Sequence, residues 1–292
     1  MIQLRVLGTT DLRGPNGQAL LSILSQPKRF TLLAYLALHA TGGFVRRDKL
    51  LAVFWENSDL DKGRASLRSA LSYLRRSLGE DVIVSRGDEE VGIASGSLEC
   101  DAVLFEAALA AGDLEPALQR YGGTLLDGVH VAGAAALGEW LDLQRRRLML
   151  LAVEAASNIA DRRREQGDLY DALLWARKAL ALDPGSEPGI QRLIRLQSEV
   201  GDRAGAVRSY AAFEARLAKE LEVEPSAETQ ALGASIRGSS GDRNEAAQVP
   251  RSVESTVVAG STSPVIPHPS PSDSRATSSG RSATAFRWVA VT

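Results

Sequence analysis

Residues 61–78, Asp61 to Leu78 in the order DKGRASLRSALSYLRRSL, decide how the rest of the chain reads. At 100° per residue, Leu67, Ala70, Leu71, Leu74 and Leu78 fall within one arc of about 100°, which predicts an amphipathic helix with an apolar stripe committed to a core. The remaining surface carries Lys62, Arg64, Ser66, Arg68, Ser69, Ser72, Tyr73, Arg75 and Arg76, with Asp61 as the one acid at its start. Five cations against one anion, interspersed with small hydroxyls, suit a helix lying against phosphates and base edges. A solvated face that only keeps a domain soluble has the same composition, so the flanking elements decide between the two.

Working outward, residues 2–7 alternate as a strand does and end at Gly8, and a second short strand is expected around Gly17 to Leu21. Pro27 suits the first turn of a helix. Behind it, Phe30, Leu33, Ala34, Leu36, Ala37 and Leu38 lie at helical spacing up to the Gly42-Gly43 pair. A second helix is predicted from about Arg46 to Trp55, with Leu50, Leu51, Phe54 and Trp55 apolar. After the basic helix, Val82 to Ser85 and Glu90 to Ala94 read as two strands around Arg86-Gly87-Asp88-Glu89. Three helices followed by a hairpin is the order of a winged helix-turn-helix, placed over residues 1–97.

From Asp101 to about Ile236 the texture changes to helices rich in alanine and leucine. Gly167-Asp168 with Ala172 recurs as Gly201-Asp202 with Ala206, an offset of 34 residues, which is the tetratricopeptide period. Each pair is expected to open the second helix of a hairpin, with the small alanine allowing close approach to the first. Asp183-Pro184 and Glu224-Pro225 close the two copies, and Gly112-Asp113 with Ala117 is a fainter third. Residues 98–236 thus read as an all-α repeat domain. Residues 237–292 are largely Ser, Pro, Thr, Gly and Ala, a composition that buries too little apolar area to fold and reads as a disordered tail or linker. The fold class is mainly α: a winged helix (α+β), then an all-α repeat.

The 292 residues hold 34 Lys and Arg against 36 Asp and Glu, a net charge of -2. Residues 1–98 nevertheless carry 13 basic and 10 acidic side chains, net +3, so the basic character is local. One cysteine, Cys100, excludes an internal disulfide and any multi-cysteine metal site, and fits a reducing compartment. It reads as a small buried residue, and Trp55, Trp140 and Trp175 read as core. His39 and His130 have no carboxylate or nucleophile pattern beside them. The clusters Arg145 to Arg147 and Arg162 to Arg164 read as solvated helix surface, with Glu139, Asp142, Glu154, Asp161 and Glu165 as nearby partners. No phosphate loop, dinucleotide-binding glycine triplet or nucleophile elbow is present, so no enzyme activity, cofactor or metal is predicted. The amino terminus lacks the apolar core of a signal peptide, and no apolar run nears the ~18 residues of a membrane span. The upturn from Phe286 to Thr292 reads as a disordered end or as the start of a truncated membrane segment.

In combination these features resemble bacterial transcriptional regulators of the SARP type (Streptomyces antibiotic regulatory protein), which join an OmpR-like winged helix-turn-helix to a bacterial transcriptional activator domain of tetratricopeptide-like helices. The resemblance covers about residues 2–235. It rests on Leu4, Leu7 and Gly8; Leu32 to Leu38; Arg47, Asp48, Leu50 and Trp55; and Leu71, Leu74, Arg75, Leu78 and Gly79. In the second half it rests on Asp101, Phe105, Trp140, Gly167 to Pro184 and Gly201 to Pro225. It implies a cytoplasmic activator that binds double-stranded DNA at promoter direct repeats, as a side-by-side homodimer, and recruits RNA polymerase. The residues it implies for DNA contact are Arg64, Arg68, Ser69, Ser72, Tyr73, Arg75 and Arg76 on the third helix and Arg86 in the wing. The wing departs from the family: Val91-Gly92 stands where a Gly-Tyr pair is common, and Asp88, Glu89 and Glu90 would be repelled by phosphate, leaving Arg86 as its one contact. Two other readings fit the same residues: a helical-repeat scaffold with a degenerate DNA-binding domain, and a membrane-tethered sensor anchored beyond Thr292.

Overall fold

Strand β1 (Ile2–Arg5) buries Ile2 and Leu4 and turns Gln3 and Arg5 outward, the period-2 alternation of a half-buried strand. It is the middle of a three-stranded sheet, antiparallel to β2 (Asp11–Arg13) and parallel to β6 (Leu98–Cys100). The second strand expected at Gly17 to Leu21 is therefore misplaced. Asp11–Arg13 takes that edge because Leu12 is fully buried between two polar neighbours, while the later stretch contributes only an isolated bridge from Ala19 to Arg13 before α1 (Leu21–Leu24). The computed structural model describes residues 1–39, 43–131 and 133–238.

Helix α2 (Pro27–His39) buries every residue from Phe30 to Ala37, because it touches both sheets and three further helices at once. Gly42 lies outside the described residues. A two-residue strand, β3 (Val45–Arg46), then leads into α3 (Arg47–Phe54), and α4 (Leu60–Leu78) follows after a short turn. The Asp59 side chain accepts a hydrogen bond from the Asp61 N–H and caps α4 at its start. The buried residues of α4 are Gly63, Leu67, Ala70, Leu71, Leu74 and Leu78, the stripe read from the periodicity. β4 (Ile83–Arg86) and β5 (Glu90–Ile93) form the hairpin, and β3 adds a third strand in the order β3-β5-β4. That third strand is too short to carry a sequence signal.

The helical part comprises α5 (Asp101–Ala111), α6 (Leu114–Arg120), α7 (Ala135–Glu165), α8 (Leu169–Leu182), α9 (Glu187–Glu199), α10 (Arg203–Glu220) and α11 (Ala227–Gly238), each packed on the next in sequence. The repeat has a physical basis. Gly167 and Gly201 take φ of +82° and +80°, a left-handed turn that favours glycine. The Asp168 and Asp202 carboxylates then accept from the Asp171 and Gly205 N–H groups and cap α8 and α10. Ala172 and Ala206 are both fully buried. The fainter copy opens α6, with Gly112 at φ +84° and Ala117 buried, but Asp113 makes no side-chain cap.

Beside a second core among α7 to α11, one apolar core takes in residues from Ile2 to Ala179. It is stitched by the Asp101 carboxylate, which accepts from Val6 N at 2.9 Å, Leu7 N at 3.1 Å and Ala102 N at 2.8 Å, and by the Leu126 N–H, which donates to Val6 O at 2.7 Å. Among the described residues no helix is long and apolar enough to cross a membrane; residues 239–292, including the stretch from Phe286 to Thr292, lie outside them. Asp101→Ala leaves three N–H groups in a part-buried setting without their acceptor. It is expected to cost about 2–4 kcal/mol, read as a lower midpoint in urea unfolding with the slope unchanged. Burial pushes the Cys100 thiol up to about 12, so native protein at pH 8 is expected to react with a thiol reagent only on unfolding, in a time-resolved labelling assay with and without denaturant.

Candidate nucleic-acid interface

Opposite its buried stripe, α4 presents Arg68, Ser69, Ser72 and Arg76 to solvent. Among the described residues Arg68 and Arg76 have no carboxylate within ion-pair distance, and Arg64 meets only Asp61 at 4.0 Å. These four, with Arg64, form an open cationic and hydroxyl face whose side chains are free to be shared with a ligand. A helix of α4's 19 residues with this face fits the B-DNA major groove, about 12 Å wide.

Three of the expected contact residues make contacts within the domain, Arg86 while still exposed. Tyr73 is half-buried; its hydroxyl donates to Ser22 O at 2.9 Å and its ring carries the Arg29 guanidinium at 4.0 Å. Arg75 donates through Nε to Ile83 O at 2.8 Å and through Nη2 to Ser85 Oγ at 3.0 Å, which fastens β4 to α4. Arg86 is paired with Glu90 at 2.5 Å and lies over the Phe44 ring. That hydrogen bond holds the Glu90 carboxyl below its ordinary range. The acids of the wing are met from within the domain: Glu90 by Arg86, and Glu89 by Arg46 at 3.5 Å.

Three cations near α4 are not among the residues expected to contact DNA. Arg47, at the start of α3, donates from Nη2 to Ser85 Oγ at 3.1 Å. Its Nε is buried without a partner. Lys28 and Arg29, in the first turn of α2, lie over Trp55 and Tyr73. No periodicity marks them, since they come from other elements and meet α4 only in three dimensions.

Residues 101–237 match the bacterial transcriptional activator domain family. The chain carries a bacterial transcriptional activator domain and resembles the SARP-type regulators that share it. The structure of Mycobacterium tuberculosis EmbR in complex with a low affinity phosphopeptide is similar to this chain over 82% of its length and 65% of the other's, at 21% identity and a TM-score of 0.55, a likeness of fold. The chain thus spans less than two-thirds of that neighbour's length. The Sgt2 TPR domain from Aspergillus fumigatus aligns at 16% identity over 54% of this chain and 88% of its own, at a TM-score of 0.30, too loose a superposition to define the repeat. No curated protein sequence matches the chain significantly.

Within the activator domain Arg145, Arg147, Arg163 and Arg164 are matched by carboxylates, though mostly not by the neighbours expected, and Arg146 and Arg162 have no ion pair among the described residues. Asp142 does meet Arg145, at 3.3 Å, but Arg145 also donates to the carbonyls of Leu125 and Leu126. Arg147 pairs with Glu106 at 2.6 Å, Arg163 with Glu115 at 2.6 Å and Asp171 at 2.8 Å, and Arg164 with Glu199 at 2.7 Å. Asp161 is taken by Arg192 at 2.9 Å. Partners come from facing helices because a side chain on a packed helix meets its neighbour's surface more readily than its own next turn. Trp55, Trp140 and Trp175 are half-buried and pack on the core. Trp140 stacks with Tyr35 and His39, and burial lowers the His39 pKa. Arg75 is the clasp of the wing. Arg75→Ala is expected to speed amide hydrogen exchange at Ile83 to Ile93 by about tenfold while leaving α8 to α10 unchanged, measured by mass spectrometry.

Proposed function

We propose that the chain binds double-stranded DNA in a sequence-specific way through α4 and activates transcription by recruiting RNA polymerase. One observation carries this reading. Arg68 and Arg76 stand open without carboxylates on one hydroxyl-bearing face of α4, whereas Arg147, Arg163 and Arg164 pair with Glu106, Glu115 and Glu199 and leave Arg146 and Arg162 as isolated unpaired cations among the described residues. An unmatched cationic face on a helix that follows a helix and a turn and precedes a hairpin is the electrostatic footprint of a major-groove reader. Arg68, Arg76, Ser69 and Ser72 would read bases, with Arg64 at their edge. Tyr73, Arg75 and Arg86 would orient α2 and the wing, with the guanidiniums of Arg75 and the exposed Arg86 left within reach of a phosphate. In this reading residues 1–97 bind DNA, residues 98–236 form the activator domain, and residues 237–292 are a tail.

The activator domain would pair two protomers side by side on direct repeats and meet RNA polymerase. Half-sites about 10–10.5 bp apart would put both copies of α4 on one face of the duplex. The reading assigns the protein no reaction and no cofactor, and places it in a bacterial cytoplasm.

The test is selection of binding duplexes by the full chain from a random library, with sequencing. A repeated motif at helical-turn spacing is the expected result, and no enrichment from folded protein would leave the helical-repeat scaffold. Arg68→Ala and Arg76→Ala are each expected to weaken the selected duplex by about 5- to 150-fold in fluorescence anisotropy, the ~1–3 kcal/mol of a bidentate arginine–guanine contact.

A further inference from the structure

The residues that flank α4 form two sets of cations that the fold leaves without carboxylates. On the wing side, Arg47 and Arg75 converge on the same Ser85 hydroxyl, at 3.1 Å and 3.0 Å, and Arg68 is near enough to repel Arg47. Burial is the larger cause that lowers the Arg47 pKa, with the repulsion from Arg75 and Arg68 added to it and only Asp88 opposing. The Arg47 Nε is buried and unbonded. Three guanidiniums held together with an unused donor are a costly arrangement in the free protein, and an anion placed among them removes the cost.

On the other side, a groove of about 520 Å³ separates the first turn of α2 from α4, with Lys28, Arg29 and Trp55 on one wall and Ser66 and Ser69 on the other. The Lys28 Nζ sits 4.7 Å from the Trp55 ring centre, and Arg29 sits 4.0 Å from that of Tyr73. Neither has an ion-pair partner among the described residues. The rings hold both cations on one side, Arg29 also donates from Nη1 to Gln26 Oε1, and both residues line the groove. Ser66 and Arg75 are nine residues apart, so on α4 they point about 180° away from each other. The two sets therefore border opposite flanks of the helix, with the open face of Ser69, Ser72 and Arg76 between them.

We propose that these sets are two phosphate clamps, Arg47 with Arg75 on the wing side and Lys28 with Arg29 on the α2 side, which hold the backbones of the two strands bordering the major groove that α4 enters. The proposal rests on the DNA-binding reading above and adds Arg47, Lys28 and Arg29 to it. Phosphate clamps fix register without reading sequence, whereas base contacts discriminate. The two roles separate in salt dependence, because each phosphate neutralised contributes about -0.9 to the slope of log Kobs against log salt concentration.

The experiment measures that slope for the full chain by fluorescence anisotropy in KCl, on a duplex selected from the random library and on a random duplex of equal length. Arg47→Ala and Lys28→Ala are each expected to make the slope shallower by about one, and to weaken both duplexes by the same factor. The double variant is expected to lose about two, and Arg47→Lys, which keeps the charge, to retain the wild-type slope. Arg76→Ala serves as the contrast and is expected to lower the preference for the selected duplex. Circular dichroism checks that each variant is folded; if Arg47→Ala is not, Arg47→Gln takes its place. An unchanged slope in either single variant, or a loss confined to the selected duplex, would overturn the clamps while leaving DNA binding standing. Wild-type protein that binds neither duplex would overturn the DNA reading itself.

Discussion

The carboxylate of Asp101 accepts from three backbone N–H groups, two of them in the chain that continues from β1 and one in its own helix α5. Burial pushes its pKa up and the N–H groups push it down, with burial the larger effect, so the group is held at some cost. What that cost secures is the position of the amino-terminal strand. β1 is the middle strand of its sheet, and β6, its parallel partner, runs directly into α5. The bonds from Leu126 N to Val6 O and from Gly8 N to Thr124 O extend the same seam into the loop before α7. The winged helix and the activator domain therefore share one core, and α2, which lies under both, has no exposed face wide enough to be amphipathic.

The same seam places the turn between α3 and α4 against the activator domain. The Glu56 carboxylate accepts from the first two N–H groups of α7, those of Ala135 and Ala136, where the helix dipole favours a negative charge. Tyr35 of α2 packs on Trp140 of α7 with ring centres 4.5 Å apart. The start of α4 is thus held at one end by its own Asp59 cap and, through the preceding turn, by a helix eighty residues away in sequence. A helix mounted this way is a rigid part of the whole, and its orientation follows from packing that involves both halves.

Charge is divided along the same lines. In the activator domain arginines face carboxylates of adjoining helices, which adds specificity to helix pairing more than it adds stability, since exposed pairs contribute about 0–1 kcal/mol each. Around α4 the cations are left open or held on aromatic rings and on Ser85. The net charge of -2 hides this division, because it averages over two surfaces with opposite requirements.

By itself the sequence determined whatever depends on local periodicity or on special backbone conformations. The stripe of α4, the helix order before the hairpin, and the 34-residue recurrence of Gly-Asp and Ala were all legible, because helical spacing, a left-handed glycine and a capping aspartate act within a few residues. The tertiary structure decided the rest. It put β2 at Asp11–Arg13, supplied β3, and matched Arg147, Arg163 and Arg164 to acids more than thirty residues away. It also tied Tyr73 to Ser22 and Arg75 to Ile83 and Ser85, paired the exposed Arg86 with Glu90, and brought Arg47 and Lys28 beside α4. A polar residue on a helix wheel is only outside the core; whether it meets solvent, a carbonyl or a ring depends on which element packs beside it, and that is set by contacts between segments the chain keeps far apart.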